Sequence, residues 1–96
     1  MTSVDSWGTI RRGRSVLSQA LDEETVLLDL ERGHYFCLNQ TGTQIWSWLG
    51  DDGATLGHLV DRLSSEYRVS RSKAEADLVA LLTDLHVQGL IEHGPA

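Results

Sequence analysis

The chain has one cysteine, one proline, one phenylalanine and no apolar run long enough to cross a bilayer. A lone Cys37 forbids an internal disulfide and agrees with a reducing compartment. A transmembrane helix needs roughly 20 apolar residues, and none is present. The N-terminus offers no apolar segment of the signal-peptide kind. Together these absences predict a cytoplasmic protein that makes no membrane contact. The four histidines (His34, His58, His86, His93) fall at no metal-ligand spacing, so neither a metal nor a cofactor is expected. No acid, base and nucleophile converge at recognisable spacing, and Cys37 has no activating base beside it in the sequence. The expectation is a protein that is not an enzyme.

Basic residues are also scarce, at 8 Lys and Arg against 14 Asp and Glu, for a net charge of −6 over 96 residues. Their distribution sharpens the point. Residues 1–20 carry Arg11, Arg12 and Arg14 against Asp5, or +2, whereas residues 21–96 carry five bases against thirteen acids, or −8. So acidic a body repels nucleic-acid phosphates and suits a cationic or mixed-charge partner. What is present is an ordinary globular composition, 41% apolar and 23% charged, enough for one small domain.

The stretch from His34 to Leu49 organises the rest. His34-Tyr35-Phe36-Cys37-Leu38 is aromatic and apolar, which predicts a strand. Asn39-Gln40-Thr41-Gly42 breaks it, and Thr41 with Gln44 fits a capping box for a helix carrying Ile45, Trp46, Trp48 and Leu49 up to Gly50. Upstream, residues 1–14 lack periodicity and read as a flexible arm. Ser15–Leu21 is a weak first strand and Thr25–Leu30 a stronger second one. A three-residue loop, Glu31-Arg32-Gly33, with Gly33 at positive φ, pairs Leu30 with His34, Leu28 with Phe36 and Val26 with Leu38. That register faces Val26, Leu28, Phe36 and Leu38 toward the helices. Thr55 is a natural cap for a second helix striped by Leu56, Leu59, Val60, Leu63 and Tyr67. A third begins around Ser70 to Ser72, with Ser72 and Glu75 as a capping box. It buries Ala74, Leu78, Leu81, Leu82 and Leu85, and ends at Gly89. The fold class is α+β, a three-stranded antiparallel sheet followed by three helices, in the manner of a winged helix-turn-helix. The folded domain spans residues 15–92, with 93–96 as a tail.

The run from Leu28 to Trp46 (LDLERGHYFCLNQTGTQIW) resembles the PqqD-like family, in which a strand–turn–strand ends in Leu-Asn ahead of a small-residue break and Ile-Trp. Gly53-Ala54-Thr55-Leu56 and Gly89-Leu90-Ile91 also sit where that family has them, so the likeness covers roughly residues 16–92. The resemblance implies a RiPP recognition element: a non-catalytic adaptor that binds the leader of a ribosomally made precursor peptide. Within the family the chain looks most like the stand-alone B1 proteins of lasso-peptide systems, whose partners are a leader peptidase, B2, and a cyclase. The nearest sibling reading is a PqqD-type peptide chaperone for a radical SAM enzyme. The resemblance implies leader binding by strand addition between the third strand and the third helix.

On that reading His34, Tyr35, Phe36, Cys37 and Leu38 form the edge. Glu75, Val79, Leu82 and His86 fall along one helix flank at i, i+4, i+7 and i+11, and Glu75 and Asp77 stand ready for a basic leader residue. Glu75 serves equally well as a plain helix cap. Cys37 reads as a small buried or half-buried side chain and Trp46 as core. Trp48, Trp7 and the arm residues Arg11, Arg12 and Arg14 are candidates for docking a partner enzyme. The competing class is a winged-helix DNA-binding regulator. The third helix offers it only Arg71 and Lys73, with Asp77 and Asp84 further on, which is poor chemistry for a phosphate backbone.

Overall fold

The computed structural model describes residues 6–94. Its elements run β1 (Thr9–Arg12), β2 (Val16–Leu21), β3 (Glu24–Asp29), β4 (His34–Leu38), α1 (Gln40–Leu49), β5 (Ala54–Thr55), α2 (Leu56–Tyr67), α3 (Arg71–Val87) and β6 (Ile91–Gly94). The α+β class holds, but six strands form two antiparallel sheets in place of one. β2, β3 and β4 pair in chain order, and β1 lies between β5 and β6.

The second sheet corrects the reading of both chain ends. Residues 9–12 are a strand, not part of a flexible arm, and 91–94 pair with them, so the domain reaches beyond residue 92 on one side and residue 15 on the other. Residues 1–5 and 95–96 of the expected arm and tail lie outside the described residues. Ile10 and Trp7 belong to the core, with Trp7 only 5% exposed. Arg12 fixes this strand to α1: its Nε and Nη2 donate to the Trp46 carbonyl at 3.1 and 2.7 Å, and its guanidinium lies 5.1 Å from the Trp46 ring. A cation over the face of a buried indole adds a favourable electrostatic contact.

The hairpin register differs by one residue from the expectation. Asp29 pairs with His34, Leu28 with Tyr35, Leu27 with Phe36, Val26 with Cys37 and Thr25 with Leu38. The cause is the turn. It has four residues, Leu30 to Gly33, because Asp29 organises it: Oδ1 accepts from the N–H groups of Glu31 (3.0 Å) and Arg32 (3.1 Å), and the Asp29 carbonyl accepts from Gly33 N (2.9 Å). An Asx-type turn of this kind satisfies a carboxylate that is 4% exposed. Gly33 does adopt φ +72°. Phe36 and Leu38 face the helices as expected, but Val26 and Leu28 do not; Leu27 takes the buried place instead.

The helices follow their stripes. Leu56, Leu59, Val60 and Leu63 of α2 and Ala74, Leu78, Leu82 and Leu85 of α3 are buried, with Leu81 partly so and Tyr67 exposed. Two caps move. Asn39 caps α1, its Oδ1 accepting from Gly42 N at 2.9 Å, which places Thr41 inside the first turn. Ser70 caps α3 through Lys73 N at 3.1 Å, so the Ser72–Glu75 box is not used. Thr55 caps α2 as expected, and Gly50 and Gly89 end α1 and α3 at positive φ. α1 packs on β1, β3 and β4, whereas α3 packs on α2 and β6.

The register makes a direct prediction. Leu27→Ala opens a cavity in the core and is expected to cost about 2–4 kcal/mol in urea unfolding, while Leu28→Ala on the outer face costs under about 1 kcal/mol. The reverse order of the two variants would restore the rejected register.

Candidate functional site, the open edge of the hairpin sheet

β4 pairs with β3 alone among the described residues, so its other edge is free. Strand alternation sends His34, Phe36 and Leu38 inward and Tyr35 and Cys37 outward. His34 and Phe36 are half-buried, and Phe36 packs against the core, so they form the floor of any channel along this edge. Leu38 is core, and only its backbone is available to a partner. Cys37 is exposed, contrary to the expectation of a buried or half-buried side chain. Its outward position follows from the pairing with Val26.

The helix flank is only partly as expected. Val79 is half-buried against the core, Glu75 is exposed, and Asp77 is held by Lys73 Nζ at 3.1 Å, one helical turn away. Leu82 is fully buried and belongs to the core, so the flank loses a member. His86 is exposed but turned to another neighbourhood: its ring centroid lies 4.6 Å from that of Trp7 and 5.0 Å from that of His93, which itself stacks on Trp7 at 4.4 Å. These three rings join the N-terminal segment, α3 and β6.

The candidate docking residues separate similarly. Arg12 is committed to Trp46, and Arg14 lies 3.4 Å from Glu92 in an exposed pair of small energetic weight. Arg11 stays exposed. Trp7 is buried, and Trp48 is half-buried with the Arg62 guanidinium 4.9 Å above its ring.

Two features escaped the sequence reading. The first is the outer face of the β2–β3–β4 sheet, where Leu17, Leu28 and Tyr35 stand in one cross-strand row. Leu17 and Tyr35 are 57% and 69% exposed. With Val26 they line a shallow apolar depression of about 550 Å³. The row appears only once the register is known, since the one-residue slip turns Leu28 inward. The second is the Asp29 turn, with Arg32 Nη1 donating to the Gln88 carbonyl at 2.8 Å. A four-residue spacing from Asp29 to Gly33 was its sequence signal. Among the described residues, no group of three or more His, Cys, Asp or Glu side chains is arranged to hold a metal ion, and no helix is long and apolar enough to cross a membrane.

Comparison with known proteins places this geometry. The family model described as coenzyme PQQ synthesis protein D (PqqD) matches residues 24–91. No curated protein matches. Among solved structures, TbiB1 in complex with the TbiA(β) leader peptide is 38% identical, with 85% of this chain and 94% of that chain covered and a TM-score of 0.79. A lasso peptide synthetase B1 complexed with its leader peptide is 34% identical, with 88% and 98% covered and a TM-score of 0.77. Two-thirds of the chain matched by one family model, and nearly whole-length likeness to two solved structures, lead to one assignment: the chain belongs to the PqqD family.

Proposed function

We propose that this protein is a RiPP recognition element of the lasso type, a non-catalytic adaptor that binds the leader of a precursor peptide by strand addition to β4. The observation that carries the reading is the free edge of a five-residue strand in a chain 38% identical to a protein solved with its leader peptide. An added strand takes main-chain hydrogen bonds from the β4 edge and sets alternate side chains over His34 and Phe36. Val79 and Glu75 supply the helical wall. Asp77 does so after releasing Lys73, and Leu82 contributes from beneath. The hairpin and helices act as a winged-helix-like arrangement that holds peptide. DNA is a poor alternative, because α3 carries cations only at its start and the body of the chain is strongly acidic. Membership of the PqqD family favours a second reading, a PqqD-type chaperone for a radical SAM enzyme, which differs in the peptide bound and not in the edge used.

The adaptor presents its leader to a B2-type leader peptidase and a cyclase in the cytoplasm, and the outer face with Leu17, Leu28 and Tyr35 is where the peptidase docks. Exposed apolar rows of this kind are characteristic of protein–protein contact. An added leader strand continues the same sheet, so the docking face and the leader's outward side chains become one surface.

Two outcomes are expected. Titration with the leader of the precursor encoded beside this gene moves the backbone amides of His34 to Leu38. Single N-methylation of leader residues whose N–H points at β4 weakens binding at least about tenfold, by removing a ladder donor, while methylation at the alternate positions does not. Uniform tolerance of N-methylation rules out strand addition. For docking, Leu17→Glu is expected to leave leader affinity within about twofold and to slow leader cleavage by the partner peptidase about tenfold. Undiminished cleavage removes the outer face from the proposal.

A further inference from the structure

The turn that sets the hairpin register also reaches across to α3. Arg32 leaves the β3–β4 turn and donates from Nη1 to the Gln88 carbonyl, 2.8 Å away, where α3 ends. The end of α3 is the negative pole of its dipole and favours a cation there. On the near side, Arg32 Nε stands 3.9 Å from Asp29 Oδ2, a pair in which the carboxylate side chain is 6% exposed and the arginine side chain 55%. His34, the first residue of the β4 edge, places its Nε2 at the same 3.9 Å from that oxygen. The Glu31 carboxylate is taken up elsewhere, accepting from Ser15 Oγ at 3.0 Å.

Space is kept for this crossing. A Cβ on Gly89 would sit 2.8 Å from Arg32 Cζ; Gly89 at φ +76° is favoured there by its backbone conformation, and its bare Cα leaves room for the guanidinium to lie over it. The position of the strap within the fold gives it leverage. α3 packs on α2 and β6, and α1 is the helix beneath β3 and β4. β4 and α3 meet through the shared core, against which Phe36 and Val79 both pack, and Arg32 adds a polar tie between them at the His34 end. Among the described residues, Arg32 makes the side-chain hydrogen bond that ties the hairpin turn to α3.

We propose that Arg32 is a positioning residue for leader binding: anchored on Asp29, it fixes the separation of β4 and α3 at the His34 end and so sets the width of the groove there. It does not touch the peptide. This inference rests on the leader-binding reading and deepens it, by assigning groove geometry to a residue outside the groove.

The test uses the whole chain and two ¹⁵N-labelled probes, the leader of the precursor encoded beside this gene and the TbiA(β) leader peptide. Affinity is measured by calorimetry, and hydrogen exchange of each leader amide is followed by NMR in the complex. Arg32→Ala is expected to weaken binding about tenfold, with lost protection confined to leader amides at the His34 end and retained at the Leu38 end. Arg32→Lys, which keeps a donor within reach of the Gln88 carbonyl, is expected to stay within about threefold of the native chain. Unchanged affinity in Arg32→Ala overturns the proposal, and so does protection lost evenly along the leader, which is the signature of general destabilisation. Failure of the native chain to bind either peptide instead removes the leader-binding reading itself.

Discussion

A nearly buried carboxylate governs this fold. Asp29 is 4% exposed, and burial of an unsatisfied anion is costly enough that its neighbours must arrange themselves to hydrogen-bond it. Two turn N–H groups do so, and the length of the turn, the register of the hairpin and the face assignment of β3 follow. Leu27 goes inward because Asp29 does, two residues along the same strand face. Leu28 and Val26 go outward for the same reason. The exposed apolar row is thus a consequence of the turn chemistry, and one acidic residue couples the groove side of the sheet to its outer side.

The second constraint comes from the ends of the chain. β1 and β6 are four residues each and β5 only two, too short to be stable without each other or the helices. They hold because Ile10, Ala54 and Ile91 enter the same core as α1 and α2, and because Arg12 is tied to the Trp46 carbonyl. The Trp7, His86 and His93 rings close the far side. This small sheet stabilises the end of α3, the same end at which Arg32 arrives from the hairpin.

How much of this was legible depends on whether the signal was local. β4 was read to its exact residues because aromatic and branched side chains run between Gly33 and Asn39 without interruption. The α2 and α3 stripes, Thr55 and the terminal glycines were read for the same reason: periodicity and caps act within one or two turns. The β1–β6 pairing was not legible, since Thr9 and Gly94 meet across the length of the chain and neither strand alternates cleanly. The register is not legible from an apolar count per face, because a single Asp whose turn-forming role competes with that count decides it. The site was half legible. The edge strand needed only sequence, but the helix flank needed the rotation of α3, which buries Leu82 and hands His86 to Trp7.

An open strand is a liability in an unliganded protein, because it templates pairing with any exposed backbone. The size of β4 limits that hazard and, on the proposed reading, also constrains how a leader is recognised. A five-residue edge offers on the order of five main-chain hydrogen bonds, each worth about 0.5–1.5 kcal/mol net. Ordering five residues of a flexible peptide costs about 1–2 kcal/mol apiece. The two terms nearly cancel, so backbone pairing alone binds almost nothing, and a stray strand gains little by adding there. On the proposed reading, affinity comes from leader side chains buried over Phe36 and against α3, which only a peptide of suitable sequence supplies. Such burial depends on the groove having one width, since apolar contacts weaken over fractions of an ångström. A short edge therefore demands a rigid frame around it. The Asp29 turn and the guanidinium it directs onto α3 provide that frame at the end where the strand begins.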